Sequence, residues 1–285
     1  MTMKNLAIFS SQKSSRILST IINGILRIFF LFFISSFFVA PLYAAEEKVY
    51  FTGQDGVRMV GEFYKPKNKN ITFIFLHGVA SVKEEWKNFS QFLHSKGFGV
   101  LIYDLRGHGK STKTVSGKLI GFEEFKVQGL ESEWGKMIKD LGFAIQFLQK
   151  KYGILPTQIA VGGASIGANI AFQYAAHHPE IPFSVLLSPG TNYQGIKIDE
   201  LLSIYGRRPL LIAVSPADSY AFQSVRTLQI DNRHLGNHKV SLYVFSDSEI
   251  FGHGVGMFRR EKPENPSALE EKILSWIRFY TEPKR

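Results

Sequence analysis

Ser165, Asp218 and His253, side chains that act together in acyl transfer, follow one another in that order, each just beyond a short apolar run. Ile159 to Val161 leads through Gly163-Ala164-Ser165-Ile166-Gly167 into the helix-compatible stretch Ala168 to Ala176. That strand, sharp turn, helix order lifts a serine hydroxyl out of the chain as a nucleophile. The turn forces strained backbone angles on the serine, and a side chain at Gly163 or Gly167 would strike the adjoining strand or helix. The helix that follows points unpaired N–H groups at negative charge developing beside Ser165.

A nucleophilic serine needs a base to take its proton, a carboxylate to orient that base, and donors for the oxyanion. Pro209 to Val214 reads as a strand followed by Ser215-Pro216-Ala217-Asp218, so Asp218 falls beyond the strand's carboxyl end, where open α/β sheets assemble their sites. Val240 to Phe245 reads as the last strand, and the loop after it carries Gly252-His253-Gly254, which makes His253 the candidate base. Asp247 and Glu249 precede His253 on the same loop and stand as alternative carboxylates. His108, the pair His177-His178, and His234 with His238 read as solvated or hydrogen-bonded structural histidines. No histidine spacing suits a metal and no dinucleotide fingerprint occurs, so this chemistry calls for no cofactor.

The elements that must position these residues alternate. Val49 to Thr52 and Val57 to Tyr64, joined through Gly53-Gln54-Asp55-Gly56, read as an antiparallel hairpin. Ile71 to Leu76 is apolar but for Thr72, as suits a strand buried on both faces, and is followed by an amphipathic helix over Val82 to Lys96. Gly99 to Asp104 and Phe183 to Leu187 supply further strands. The helix Trp134 to Lys151 carries Met137, Leu141, Ala144, Ile145 and Leu148 on one face, with Asp140 expected to face solvent or cap a packing contact. Leu269 to Tyr280 closes the domain as a last helix. The class this predicts is α/β, a mostly parallel sheet with helices on both faces.

Beyond the elbow and the serine, aspartate, histidine order, three pieces carry a family resemblance: Leu76-His77-Gly78-Val79, Asp104-Leu105-Arg106-Gly107-His108-Gly109-Lys110-Ser111, and Leu187-Ser188-Pro189-Gly190. Over about residues 49–281 the chain resembles the α/β-hydrolase superfamily, particularly its small bacterial esterase-like members, which implies a sheet of about eight strands. The resemblance implies that Val79 and Ile166 supply the backbone N–H donors of an oxyanion hole, and that the glycine-rich second piece shapes the floor of the site. Many members insert a helical cap after the sixth strand. Here only Gly190 to Arg208 intervenes, room for a loop and a short helix around Ile198 to Tyr205, so an open site without a large cap is expected. Trp86, Tyr193, Tyr220, Phe251 and Met257 can wall it, and each is equally placed to be ordinary packing.

The chain has 285 residues, 45% hydrophobic and 20% charged, enough for one domain with a substantial core. Its first 45 residues differ: Lys4, Lys13, Arg16 and Arg27 with no acid, then the 13-residue apolar stretch Ile28 to Ala40, then Pro41-Leu42-Tyr43-Ala44-Ala45. This has the pattern of a signal peptide cleaved after Ala44 or Ala45, leaving residues 46–285 as a periplasmic or secreted hydrolase domain. The alternative is a retained membrane anchor, with transient membrane association through residues 17–40. Scattered lysines and arginines exclude a nucleic-acid stripe, and the absence of cysteine excludes disulfides and thiolate metal sites. The reading is an exported serine hydrolase, a carboxylesterase for small-molecule esters. A peptidase or thioesterase on the same scaffold, or a binding protein that has lost activity, is the alternative. Intact-mass analysis of the exported protein should find a chain beginning at Ala45 or Glu46; membrane-bound protein retaining residues 1–45 would establish the anchor instead.

Overall fold

The computed structural model describes residues 46–67, 71–262 and 264–282; the expected leader lies outside them. Ten strands and six α-helices follow in this order: β1 (Glu47–Thr52), β2 (Arg58–Tyr64), β3 (Thr72–Leu76), α1 (Lys87–Ser95), β4 (Gly99–Tyr103), α2 (Glu133–Tyr152), β5 (Ile159–Ala164), α3 (Ile166–His177), β6 (Ser184–Leu187), β7 (Asn192–Tyr193), β8 (Ile196–Lys197), α4 (Leu201–Tyr205), β9 (Pro209–Ala213), α5 (Ser219–His234), β10 (Ser241–Phe245) and α6 (Ala268–Thr281). Eight strands form one sheet in the order β1-β2-β4-β3-β5-β6-β9-β10, while β7 and β8 make a separate small hairpin. Pairing is antiparallel from β1 through β2 to β4 and parallel everywhere beyond. This is the α/β architecture expected, with β5 and its elbow at the centre.

Alternation along the buried strands divides the core into two layers. In β3, Ile74 and Leu76 pack with α2, α3, α4 and α5, whereas Phe73 and Phe75 pack with α1 and α6. At roughly 1.5–3 kcal/mol per large apolar side chain, these two layers supply most of what holds the sheet. The helix expected over Val82 to Lys96 begins instead as a 3-10 turn, Lys83–Trp86, before α1. Trp86 is not a wall of the site: it is fully buried, its ring 4.4 Å from that of Phe75, and its indole N–H donates to the Leu76 carbonyl at 3.0 Å. α2 is capped by Ser132, whose hydroxyl accepts from the Gly135 N–H, and ends at Gly153 with φ 69°.

Asp140 departs from expectation. It is buried against Arg106, whose Nε and Nη2 donate to its two oxygens at 2.6 and 2.9 Å. The guanidinium also donates to Asp55 at 2.7 and 3.1 Å and to Glu133 at 2.7 Å, so all five of its N–H groups are used. One buried side chain therefore ties the β1–β2 turn, the loop after β4 and α2 together. Hydrogen bonds from Arg106, opposed in part by burial, hold Asp55 down at about 2. A carboxylate depressed in this way contributes stability that is complete above its unfolded value near 4 and is lost as the pH falls through about 2. Arg106→Ala should lower unfolding free energy in urea by about 3 kcal/mol or more, because it strands the Asp140 charge. The gap between wild type and Asp55→Asn should close as the pH falls from about 4 toward 2.

Candidate active site

β5 ends at the elbow. Ser165 has φ 56° and ψ −123°, outside the regions an L-residue normally occupies. Its N–H donates to the Leu187 carbonyl of β6 at 2.9 Å, which locks the turn to the sheet. A Cβ at Gly163 would lie 2.3 Å from the Gly167 carbonyl carbon, and one at Gly167 would lie 2.3 Å from the Leu76 oxygen. Both positions therefore admit glycine alone, as the pentapeptide suggested.

The loop carrying His253 folds back onto this turn. A Cβ built at Gly254 would sit 3.0 Å from the Ala164 Cβ, so the main chain beside His253 touches the residue beside Ser165. Ser188, the first residue after β6, fixes the contact: its buried hydroxyl accepts the Gly254 N–H at 2.9 Å. Its own backbone, at φ 48°, is held by donation to the Ala213 carbonyl at 2.9 Å. Asp218 stands after β9 at the start of α5, and its Oδ2 accepts from His253 Nδ1 at 2.5 Å. With a carboxylate as acceptor the ring proton lies on Nδ1, which leaves the Nε2 lone pair for a hydroxyl proton. Asp247 points elsewhere, accepting from Lys272 Nζ at 3.0 Å and from the Glu249 N–H at 3.1 Å.

On the other side of Ser165 the loop after β3 approaches closely, a Cβ built on Gly78 falling 3.5 Å from that of Ser165. Val79 follows on this loop, and Ile166 opens α3, where an N–H has no acceptor within the helix. His77 is buried beneath: its Nε2 accepts the Leu105 N–H at 2.9 Å and its Nδ1 donates to the Gly78 carbonyl at 2.8 Å. Burial pushes its pKa down to about 3, so it is a neutral strut. Asp104 ties down the glycine-rich loop by accepting the Lys83 and Lys110 N–H groups, each at 2.9 Å. His108 stacks on Phe122 at 4.2 Å and takes no place beside Ser165.

The expected loop after Gly190 holds the β7–β8 hairpin, and the short helix expected around Ile198 to Tyr205 is α4, which begins three residues later, at Leu201. Leu201, Leu202 and Tyr205 of α4 are buried in the core, so that helix packs down rather than over the serine, and the His253 side chain is 47% exposed. Asn169, in the first turn of α3, clamps the hairpin at both ends by donating to the Gly190 and Ile196 carbonyls at 2.7 Å each. Tyr193 on the hairpin donates its hydroxyl to the Ser188 carbonyl at 3.4 Å and lies 6.3 Å, ring to ring, from His253. Burial and the Asp218 charge push its phenol well up, so the hydroxyl keeps its proton. Tyr220 braces the hairpin, accepting the Asn192 N–H at 3.0 Å and donating to the Asn192 carbonyl at 2.8 Å. Met257 is core, whereas Phe251 is exposed with Arg259 over its ring. Nothing in the spacing marked Ser188, Asn169 or His77 as supports; the one legible signal was a polar Asn169 in an otherwise apolar helix turn.

Comparison with known proteins agrees with this fold. Candida albicans protein phosphatase methylesterase 1 is 24% identical over 151 residues, which is 52% of this chain and 37% of that protein, so the chain spans under two fifths of its curated relative. Among solved structures, the Pyrococcus furiosus esterase Pf2001 superposes with TM-score 0.62 at 20% identity, covering 83% of this chain and 91% of that one. Dienelactone hydrolase from Anabaena variabilis gives 0.57 at 17%, covering 84% and 99%. The model of the family described as serine aminopeptidase, S33 matches residues 67–225, more than half of the chain, taking in Ser165 and Asp218 but ending before His253. That match spans the elbow and five of the eight strands of the sheet, β3 to β6 and β9, and the chain belongs to the S33 serine aminopeptidase family of α/β-hydrolases.

Proposed function

We propose that the protein is an exported carboxylesterase working through an acyl-enzyme on Ser165. The observation that carries this reading is the 2.5 Å bond from His253 to Asp218 on a loop packed against Ala164, directly beside the strained serine. Ser165 Oγ attacks the ester carbonyl while His253 Nε2 takes its proton, and the Val79 and Ile166 N–H groups receive the developing oxyanion. Collapse expels the alcohol, which leaves with the proton from His253. Water, deprotonated by the same nitrogen, then releases the acid and restores the serine. The Asp218 carboxylate holds the imidazole in the Nδ1–H tautomer and stabilises the imidazolium between these transfers. An open rim around Tyr193, Tyr220 and Phe251 suits esters of small or medium acyl groups, and the leader pattern favours a periplasmic or secreted enzyme.

A second reading, hydrolysis of peptide bonds at an N-terminus, is favoured by the name of the matching family. Chromogenic ester, thioester and aminoacyl substrates offered to the purified domain separate the two.

A fluorophosphonate should modify Ser165 alone, and Ser165→Ala should abolish labelling and lower kcat by about 10⁶ with little change in thermal stability. Asp218→Asn should lower turnover by about 10⁴ while Asp247→Asn leaves it unchanged. Labelling at another serine, or normal turnover in Ser165→Ala, would reduce the elbow to a tight turn.

A further inference from the structure

We propose that Glu85 is a positioning residue that holds the oxyanion loop, Gly78 to Ser81, in its donating conformation; the inference rests on the acyl-enzyme reading of Ser165. The loop is a four-residue turn closed by the Ser81 N–H on the Gly78 carbonyl at 3.2 Å, and Ala80 within it takes φ 56°, a left-handed value that strains a residue with a side chain. Both ends of this turn hang on one carboxylate. Glu85 Oε1 accepts the Gly78 N–H at 3.0 Å, and Oε2 accepts the Ser81 hydroxyl at 2.5 Å.

What this does to the Val79 donor follows from peptide planarity. The Val79 N–H shares a rigid plane with the Gly78 carbonyl and points opposite to it. His77 Nδ1 and the Ser81 N–H fix that carbonyl, and with it one plane. The preceding plane contains the Gly78 N–H and is fixed only by Glu85 among the bonds described. With both planes fixed, the Val79 N–H has one direction, and the Gly78 N–H, committed to Glu85, is withdrawn from the oxyanion. The base that presents Glu85 is itself rigid, because Trp86 next to it is fully buried and bonded to the Leu76 carbonyl.

A half-buried carboxylate is costly to keep unless its acceptors are used. Burial pushes the Glu85 carboxyl up, the two donors and the nearby His253 pull it back, and an imidazolium on His253 during turnover favours the ionised form that accepts both bonds. Glutamine has one acceptor oxygen in place of two, so it can serve Gly78 but must turn its amide toward Ser81. Alanine serves neither.

The test uses wild type, Glu85→Gln, Glu85→Ala and Ser81→Ala, with p-nitrophenyl butyrate as substrate and a trifluoromethyl ketone as mimic of the tetrahedral intermediate. Removing an oxyanion donor costs about 10²–10³ in kcat, so misdirecting one should cost about 10–100-fold in Glu85→Ala, less in Glu85→Gln and least in Ser81→Ala. KM should stay within about threefold of wild type, and ketone affinity should fall in step with kcat/KM. If Glu85→Ala does not fold, the Glu85→Gln and Ser81→Ala pair carries the comparison. Folded variants with wild-type kcat and ketone affinity overturn the proposal, as does a loss of kcat with ketone binding unchanged. Wild-type protein that neither hydrolyses the ester nor takes fluorophosphonate at Ser165 overturns the acyl-enzyme reading itself, and this inference with it.

Discussion

At φ 56° and ψ −123° Ser165 occupies backbone space that costs roughly 1–3 kcal/mol, and it stays there because every route to relaxation is blocked. Its N–H is committed to β6 and the glycines on either side are in contact with main chain. The helix that begins at Ile166 is buried along nearly its whole length. The sheet order follows from this constraint: β5 must sit at the centre, with β3 on one side delivering the loop of Gly78 and β6 on the other delivering Ser188. A central strand flanked by parallel neighbours brings their carboxyl ends to one edge, so the residues that meet at Ser165 come from loops far apart in the chain.

Loops alone do not hold a site to the tolerance that acyl transfer needs. Here each one is secured by a buried polar group that the chemistry does not use: His77 beneath the Gly78 carbonyl, Ser188 under Gly254, and Asn169 at the ends of the β7–β8 hairpin. Each satisfies main-chain groups that the irregular backbone leaves without partners, which makes the clamp and the satisfaction of buried hydrogen bonds one event. Arg106 performs the same office farther away, joining the antiparallel end of the sheet to α2.

The elements legible in the sequence were those whose physics is local. Apolar runs marked β3, β4 and β5, the elbow pentapeptide marked the turn, and position after a strand sufficed to bring Asp218 and His253 together. What escaped was set by partners distant in sequence. Asp140 lies three residues after Met137 and four before Ala144, on the inward stripe of α2, but the Arg106 that makes burial tolerable is 34 residues away. Trp86 looked free to line a site because nothing local shows that Phe75 stacks on it. The β7–β8 hairpin has only two residues in each strand, too few for alternation to register.

Because the amide of Asn169 grips Gly190 and Ile196, the segment between them is anchored at both feet to the helix that follows Ser165. Its tip is stitched to surface segments through Gln194 to Gln128 and Gly129 and through Asn192 to Tyr220, and inward through the Tyr193 hydroxyl to the Ser188 carbonyl. With Tyr193 and Gly195 kept in place, the rest of the segment can thus be lengthened at a loop-closure cost that grows only with the logarithm of length. Such an arrangement separates a fixed frame from a variable edge: one buried asparagine ties the feet of the segment to the helix after Ser165, and changes of length between them need not reach that helix.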